Sequence, residues 1–135
     1  MAQQDFNCFV VNPISGTNLV QALAPVAAAG TPIVNIDSPI DEAAAKEADV
    51  VAKTYIGTNN EAAGGKAGDY MVETISSGQV ALIGGIAGDV TSQARLDGFT
   101  AAVDGKLDIV QTTSADWERQ KALTAATDIM AANPD

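Results

Sequence analysis

The sequence has no histidine and a single cysteine, Cys8. Without histidine it lacks the side chain that trades protons near neutral pH and is the commonest metal ligand, so serine–histidine and zinc-hydrolase schemes fall away. One cysteine cannot close an internal disulfide. Aromatic residues make up 4% of the chain, with Trp117 the lone tryptophan. Basic side chains are scarce too: 7 Lys and Arg against 17 Asp and Glu leave a net charge of −10. That balance disfavours attraction to phosphate backbones or anionic lipid, and nucleic acid is not expected as a partner. No apolar run approaches the ~20 residues that span a bilayer, so membrane insertion is not expected either. The opening MAQQD is polar and leads straight into FNCFVVN, which reads as a chain without an export address and, if free-standing, a cytoplasmic one.

What is present is a regular alternation. The length of 135 residues suits about one domain with a real core. Residues 6–12 read as a buried strand ended by Pro13, with Cys8 a small hydrophobe inside it. ISGTN then opens a helix to Ala29, closed by Gly30 and kinked by Pro25. Residues 31–37 (TPIVNID) form a second strand, 41–48 a short exposed helix or mobile connection, and 50–58 a third strand. Asn59 and Asn60 cap a long helix whose apolar stripe is Ala63, Ala67, Tyr70, Met71 and Ile75, stopped by Gly78. Residues 80–84, a loop with Gly84, Gly85 and Gly88, and a helix over 91–103 give the order strand, glycine loop, helix. A fifth strand over 107–112 and a last helix over 117–132, with Ala122, Leu123, Ala126, Ile129 and Met130 inward, complete the chain. Connections this long between apolar runs argue a doubly wound parallel α/β sheet.

Ligands of such sheets bind at the carboxyl ends of strands. Asp37, at the end of the second strand, can accept two sugar hydroxyls, or can simply form the turn before Ser38 and Pro39. Asp89 and Thr91 can accept from the free N–H groups opening the helix over 91–103. Arg95 carries a fork of donors, or pairs with Asp89 or Asp97. Trp117 can stack on a sugar ring, or close the core at a helix start. GGIAGD lacks the order of a dinucleotide fingerprint and the lysine of a P-loop. No base and nucleophile pair is evident, so catalysis and a cofactor are not expected.

Taken in order, VVNPISGTN, TPIVNID, YIGTNNEAAGGKAGDY, GGIAGDVTSQARLDGF and SADWERQKALTAATDIMAANPD resemble the central part of the ribose-type periplasmic sugar-binding proteins of ABC transporters. That family is related to the effector domains of LacI-type repressors. The resemblance implies two α/β lobes joined by a hinge with the sugar between them. It implies that Asp37 is the carboxylate on the sugar hydroxyls, Arg95 the cleft arginine and Trp117 the stacking aromatic. By the same resemblance, residues 1–58 match the second half of the first lobe and 59–135 the start of the second. Ser38 and Gln93 stand where ribose binders often carry arginines.

Several expectations follow. Binding of a monosaccharide is weak or lost, because most family contacts fall outside these motifs. The other readings are a recombined or truncated fragment with a structural role, and a piece of a LacI-type effector domain. The half-lobes contain every piece of one flavodoxin-like lobe in permuted order, so residues 1–135 are expected as a single α/β domain with strands 6–12 and 80–84 as central neighbours. Closure between two chains, a domain-swapped homodimer, is the other form, and a homodimer is expected.

Overall fold

In the computed structural model, which describes residues 6–134, strands and helices alternate strictly: β1 (Phe9–Val11), α1 (Val20–Ala28), β2 (Ile33–Ile36), α2 (Glu42–Glu47), β3 (Thr54–Ile56), α3 (Asn60–Ile75), β4 (Gln79–Gly84), α4 (Val90–Val103), β5 (Asp108–Ser114) and α5 (Arg119–Ala132). The polar opening MAQQD lies outside the described residues. All the strand pairings are parallel, so the α/β reading holds. The chain divides into two compact units, Met1–Thr58 and Asn59–Asp135.

The first unit is a three-stranded sheet in the order β1-β2-β3, with Phe9 opposite Ile33 and Val34 opposite Thr54. Val20, Leu23 and Val26 fall on one side of α1 at helical spacing and pack on Ile33 of β2 and on Val50. Alanines of α2 complete that layer. Pro25 lies on the exposed side of α1, where water can take the carbonyl that its missing N–H leaves unpaired, and the helix runs through it to Ala28. Asp41 caps α2 by accepting from the Ala44 N–H at 2.7 Å, which makes 41–48 a formed helix rather than a loose connection.

Strand 6–12 is shorter and wetter than its composition implies. Its ladder covers only Phe9–Val11, Val10 is 64% exposed and Cys8 is exposed rather than buried. The reason is position: β1 lies at one edge of its sheet, and α1 and α2 pack together on the face that buries Ile33 and Asn35. Val10 points the other way. The third strand contracts likewise to Thr54–Ile56, all three residues exposed.

In the second unit β4 pairs with β5, with a register shift between Val80 and Ala81. Strands 6–12 and 80–84 are therefore not central neighbours. Among the described residues they belong to separate sheets, and the single permuted sheet does not form within the chain. Each observed pairing instead joins strands adjacent in sequence through one helical crossover, the shortest closure a parallel pair allows.

The buried face of α3 also differs from its expected stripe. Asn60, Gly64 and Gly68 are buried, whereas Ala63 and Ala67 are exposed, Tyr70 is 69% exposed and Ile75 is exposed; Met71 alone of that set packs toward the core. Glycine carries no weight in a hydrophobic pattern, yet here it decides the packing. A Cβ on Gly64 would overlap the Arg95 carbonyl, one on Gly98 would overlap the Glu61 carbonyl, and one on Gly68 would lie 2.7 Å from the Ala102 Cβ. Backbone thus meets backbone between α3 and α4. On α5, Ile129 is buried and Ala122 and Ala126 half-buried as expected, but Leu123 and Met130 are 59% and 73% exposed. A two-stranded sheet gives the helix a narrow seat.

The contrast between two adjacent glycines tests this packing. Gly64→Ala must push the helices apart and should lower stability by about 1–3 kcal/mol. Gly65→Ala, whose Cβ would meet only the Gly98 carbonyl at 3.7 Å, should raise it by up to about 1 kcal/mol through helix propensity. Urea unfolding of the two variants beside the parent measures both, and equal effects would rule out the close contact.

Candidate functional site

The candidate residues sit where strands end. Asp37 follows the last residue of β2 with φ 61° and is exposed. Its N–H donates to the Ile56 carbonyl at 2.9 Å, its own carbonyl accepts from the Tyr55 hydroxyl at 2.6 Å, and Asn12 Nδ2 donates to its Oδ2 at 3.1 Å. A left-handed aspartate is held there by both neighbouring strands. Beneath it Asn35, 3% exposed, donates to the Ser38 carbonyl at 2.8 Å and accepts from the Ile40 N–H at 2.9 Å. Asn12 Oδ1 accepts from the Ser38 N–H at 3.2 Å. Sequence reasoning missed Asn12, Asn35 and Tyr55. The available signal was Asn35 itself, a polar residue on the inward parity of IVNI.

At the end of β4 the loop turns into α4, and Asp89 caps the helix. Its Oδ1 accepts from the N–H groups of Thr91 at 2.8 Å and Ser92 at 2.9 Å, and from the Thr91 hydroxyl. Its Oδ2 accepts from Trp117 Nε1 at 3.2 Å. Burial, the largest single influence, pushes the Asp89 carboxyl upward, but the Thr91 hydroxyl, the Ser92 N–H, the indole and the Thr91 N–H together outweigh it and hold it below the usual 3.8.

Trp117 lies in the connection from β5 to α5, where Asp116 and Trp117 both have positive φ, 54° and 60°. That turn delays the helix to Arg119, two residues later than the sequence pattern suggests. The indole lies over Gly85, where a Cβ would overlap Cε2 of the ring, and Trp117 is 56% exposed. Its neighbours Asp116 and Glu118 both hold Lys121 at 2.8 Å, and Asp116 foremost, then Glu118, pushes that ammonium above the usual lysine range.

Arg95 is exposed on α4 and Nε donates to Asn60 Oδ1 on α3 at 2.7 Å, rather than pairing with Asp89 or Asp97. Gln93 takes Asp97 instead, at 2.7 Å. Arg95 and Trp117 border different cavities beside β4. Arg95 lines one with Gly64, Leu82 and Phe99, and Trp117 lines another, of about 400 Å³, with Gly84 and Ala115. Asp37 belongs to the first unit.

The Asp89 arrangement has a pH signature. A carboxylate whose folded pKa lies below its unfolded value stabilises the fold fully above pH ~4 and loses that contribution as pH falls through the lower folded value. The near-UV circular dichroism of Trp117 should therefore hold from neutral pH to about 4 and fade only below it. Fading already between pH 6 and 5 would contradict the assignment.

A family model described as "Periplasmic binding protein domain" matches residues 1–135. The D-allose-binding periplasmic protein of Escherichia coli K12 is 31% identical over 139 residues, covering 100% of this chain and 45% of that protein. The ribose import binding protein of Bacillus subtilis 168 is 26% identical over 136 residues, covering 100% and 42%. Among solved structures, an ABC transporter periplasmic solute-binding protein from Actinobacillus succinogenes 130z with bound D-allose aligns with a TM-score of 0.90 at 30% identity, over 99% of this chain and 48% of that one. One from Agrobacterium vitis with bound D-fucose gives 0.88 at 28% identity, over 99% and 46%. The chain spans about half the length of the relatives it matches.

Proposed function

The chain belongs to the periplasmic binding protein family, and from that premise we propose that it is a non-catalytic sugar-binding segment that takes a monosaccharide through Asp37, Arg95 and Trp117. The observation that carries the reading is Trp117, whose indole has one face seated on Gly85 while the residue stays more than half exposed. A flat apolar face held beside a strand end suits the C–H side of a sugar ring. The Asp37 carboxylate accepts hydroxyl hydrogen bonds and the Arg95 guanidinium supplies donors. The relatives are binding proteins, with D-allose, ribose or D-fucose in their descriptions, which supports a monosaccharide of that class. The net charge of −10 argues against nucleic acid, and among the described residues no helix is long and apolar enough to cross a membrane.

The affinity should be low. Hydrogen bonds to charged groups contribute about 1.5–3 kcal/mol each, and the loss of free motion offsets much of that, leaving a millimolar dissociation constant or weaker. Trp117 fluorescence titrated with D-allose and D-ribose should saturate in the millimolar range, and Asp37→Ala or Arg95→Ala should weaken it at least about tenfold. A trace that stays flat to the solubility limit of the sugar would overturn the sugar reading and favour a purely structural fragment.

We also propose a homodimer. Among the described residues, β1 has a paired neighbour only in β2, and β4 only in β5. Neither strand carries charge or proline to guard its other edge. The free β4 edge of one copy fits the free β1 edge of a second, giving the order β5-β4-β1-β2-β3. Light scattering at micromolar concentration should return twice 13.7 kDa. A mass of 13.7 kDa alone would exclude the dimer.

A further inference from the structure

We infer that Asp89 is a positioning residue for the stacking face of Trp117, and that it divides its two carboxylate oxygens between capping α4 and fixing the indole. The inference rests on the proposed sugar-stacking role of Trp117. Oδ1 takes every bond from the start of α4, from the Thr91 and Ser92 N–H groups and the Thr91 hydroxyl, while Oδ2 takes the indole N–H at 3.2 Å. Asp89 is 6% exposed, so this carboxylate has little solvent to fall back on.

The seat under the ring is latched from two sides. The Gly85 N–H donates to Ser92 Oγ at 2.8 Å, and the Gly85 carbonyl accepts from the Asp116 N–H at 3.2 Å. Gly84 accepts from the Ala115 N–H at 2.9 Å in the same way. The indole is thus fixed at its N–H by Asp89 and at one face by the Gly85 backbone, and two left-handed residues, Asp116 and Trp117, deliver it there. Such strained backbone persists where surrounding contacts over-determine it.

A consequence for specificity follows. The indole N–H is spent on Asp89, so the ring offers a ligand its outer face and no donor. It therefore selects the C–H side of a sugar ring, leaving hydroxyl recognition to other residues.

Asp89→Asn separates the two tasks of the carboxylate. Asparagine caps helices as well as aspartate does, but with its oxygen on the cap it turns an NH₂ toward the indole N–H, donor against donor. The urea midpoint should stay close to the parent's, while the near-UV circular dichroism of Trp117 falls by about half or more and the D-allose half-saturation rises about tenfold, the loss of one charged hydrogen bond. Gly85→Ala should give the same spectral loss with Asp89 intact. In a Trp117→Phe background, read by calorimetry, Asp89→Asn should leave D-allose binding unchanged, because no indole N–H remains to be held. An unchanged Trp117 spectrum in Asp89→Asn, or an equal binding loss with and without the tryptophan, would overturn the positioning role. The spectral arm decides without sugar, so a parent chain that fails to bind D-allose would sink the sugar reading alone.

Discussion

Three absent side chains hold the second unit together. At Gly64, Gly68 and Gly98 the backbones of α3 and α4 approach so closely that no Cβ fits in the gap without displacing a carbonyl or a neighbouring methyl. Everything of chemical interest in this unit then hangs from α4. Its first residues receive the Asp89 cap, Ser92 tethers Gly85, and Arg95 reaches back across the same helix pair to Asn60. The close packing of this helix pair is accompanied by a polar contact across it, Arg95 Nε to Asn60 Oδ1 at 2.7 Å.

The first unit reaches the same end by a different device. Its outer strands, β1 and β3, are too short and too exposed to fix a loop by packing alone. Buried Asn35 supplies donor and acceptor to both limbs of the turn after β2, and Asn12 and Tyr55 grip Asp37 from the flanking strands. A buried amide stabilises only when its capacity is met, and among the described residues no buried side-chain polar atom lacks a partner. The aspartate at the strand end thus keeps a left-handed backbone that would otherwise relax.

Much of this was legible in the sequence. The alternation of apolar runs with long helical patterns fixed the element order and parallel class, and Asn59 and Asp89 were readable as caps because their side chains sit just before helical stretches. Asp37, Arg95 and Trp117 were legible as candidates from strand ends and from the family motifs. What stayed hidden has a common physical cause. A hydrophobic pattern counts what a side chain adds, so it ranked Tyr70 and Ile75 above Gly64 and Gly68, where removal of the side chain creates the contact. Cys8 and Val10 looked buried because their neighbours are apolar, but burial depends on a second layer, and among the described residues none covers these two side chains. The pairing of Trp117 with Asp89 joins residues 28 apart in sequence, and only the fold brings them together.

The same logic explains why the two units fix their loops differently. In the second, the glycine contact and the shared carboxylate couple helix, loop and aromatic, so the loss of one member is felt by the others. In the first, Asp37 is exposed, its carboxylate takes one neutral amide donor from Asn12 and its backbone carbonyl takes the Tyr55 phenol, so the carboxylate keeps most of its acceptor capacity. A rigid apolar face in one unit and a lightly engaged carboxylate in the other are the two kinds of surface that the proposed sugar-binding role calls for, since a sugar presents C–H on one side and hydroxyls around its rim. Neither group gives much affinity alone, since each exposed polar contact exchanges water for ligand at little net gain. Under the proposed sugar-binding role, affinity is then set by how far water is excluded from each group, more than by the residues themselves.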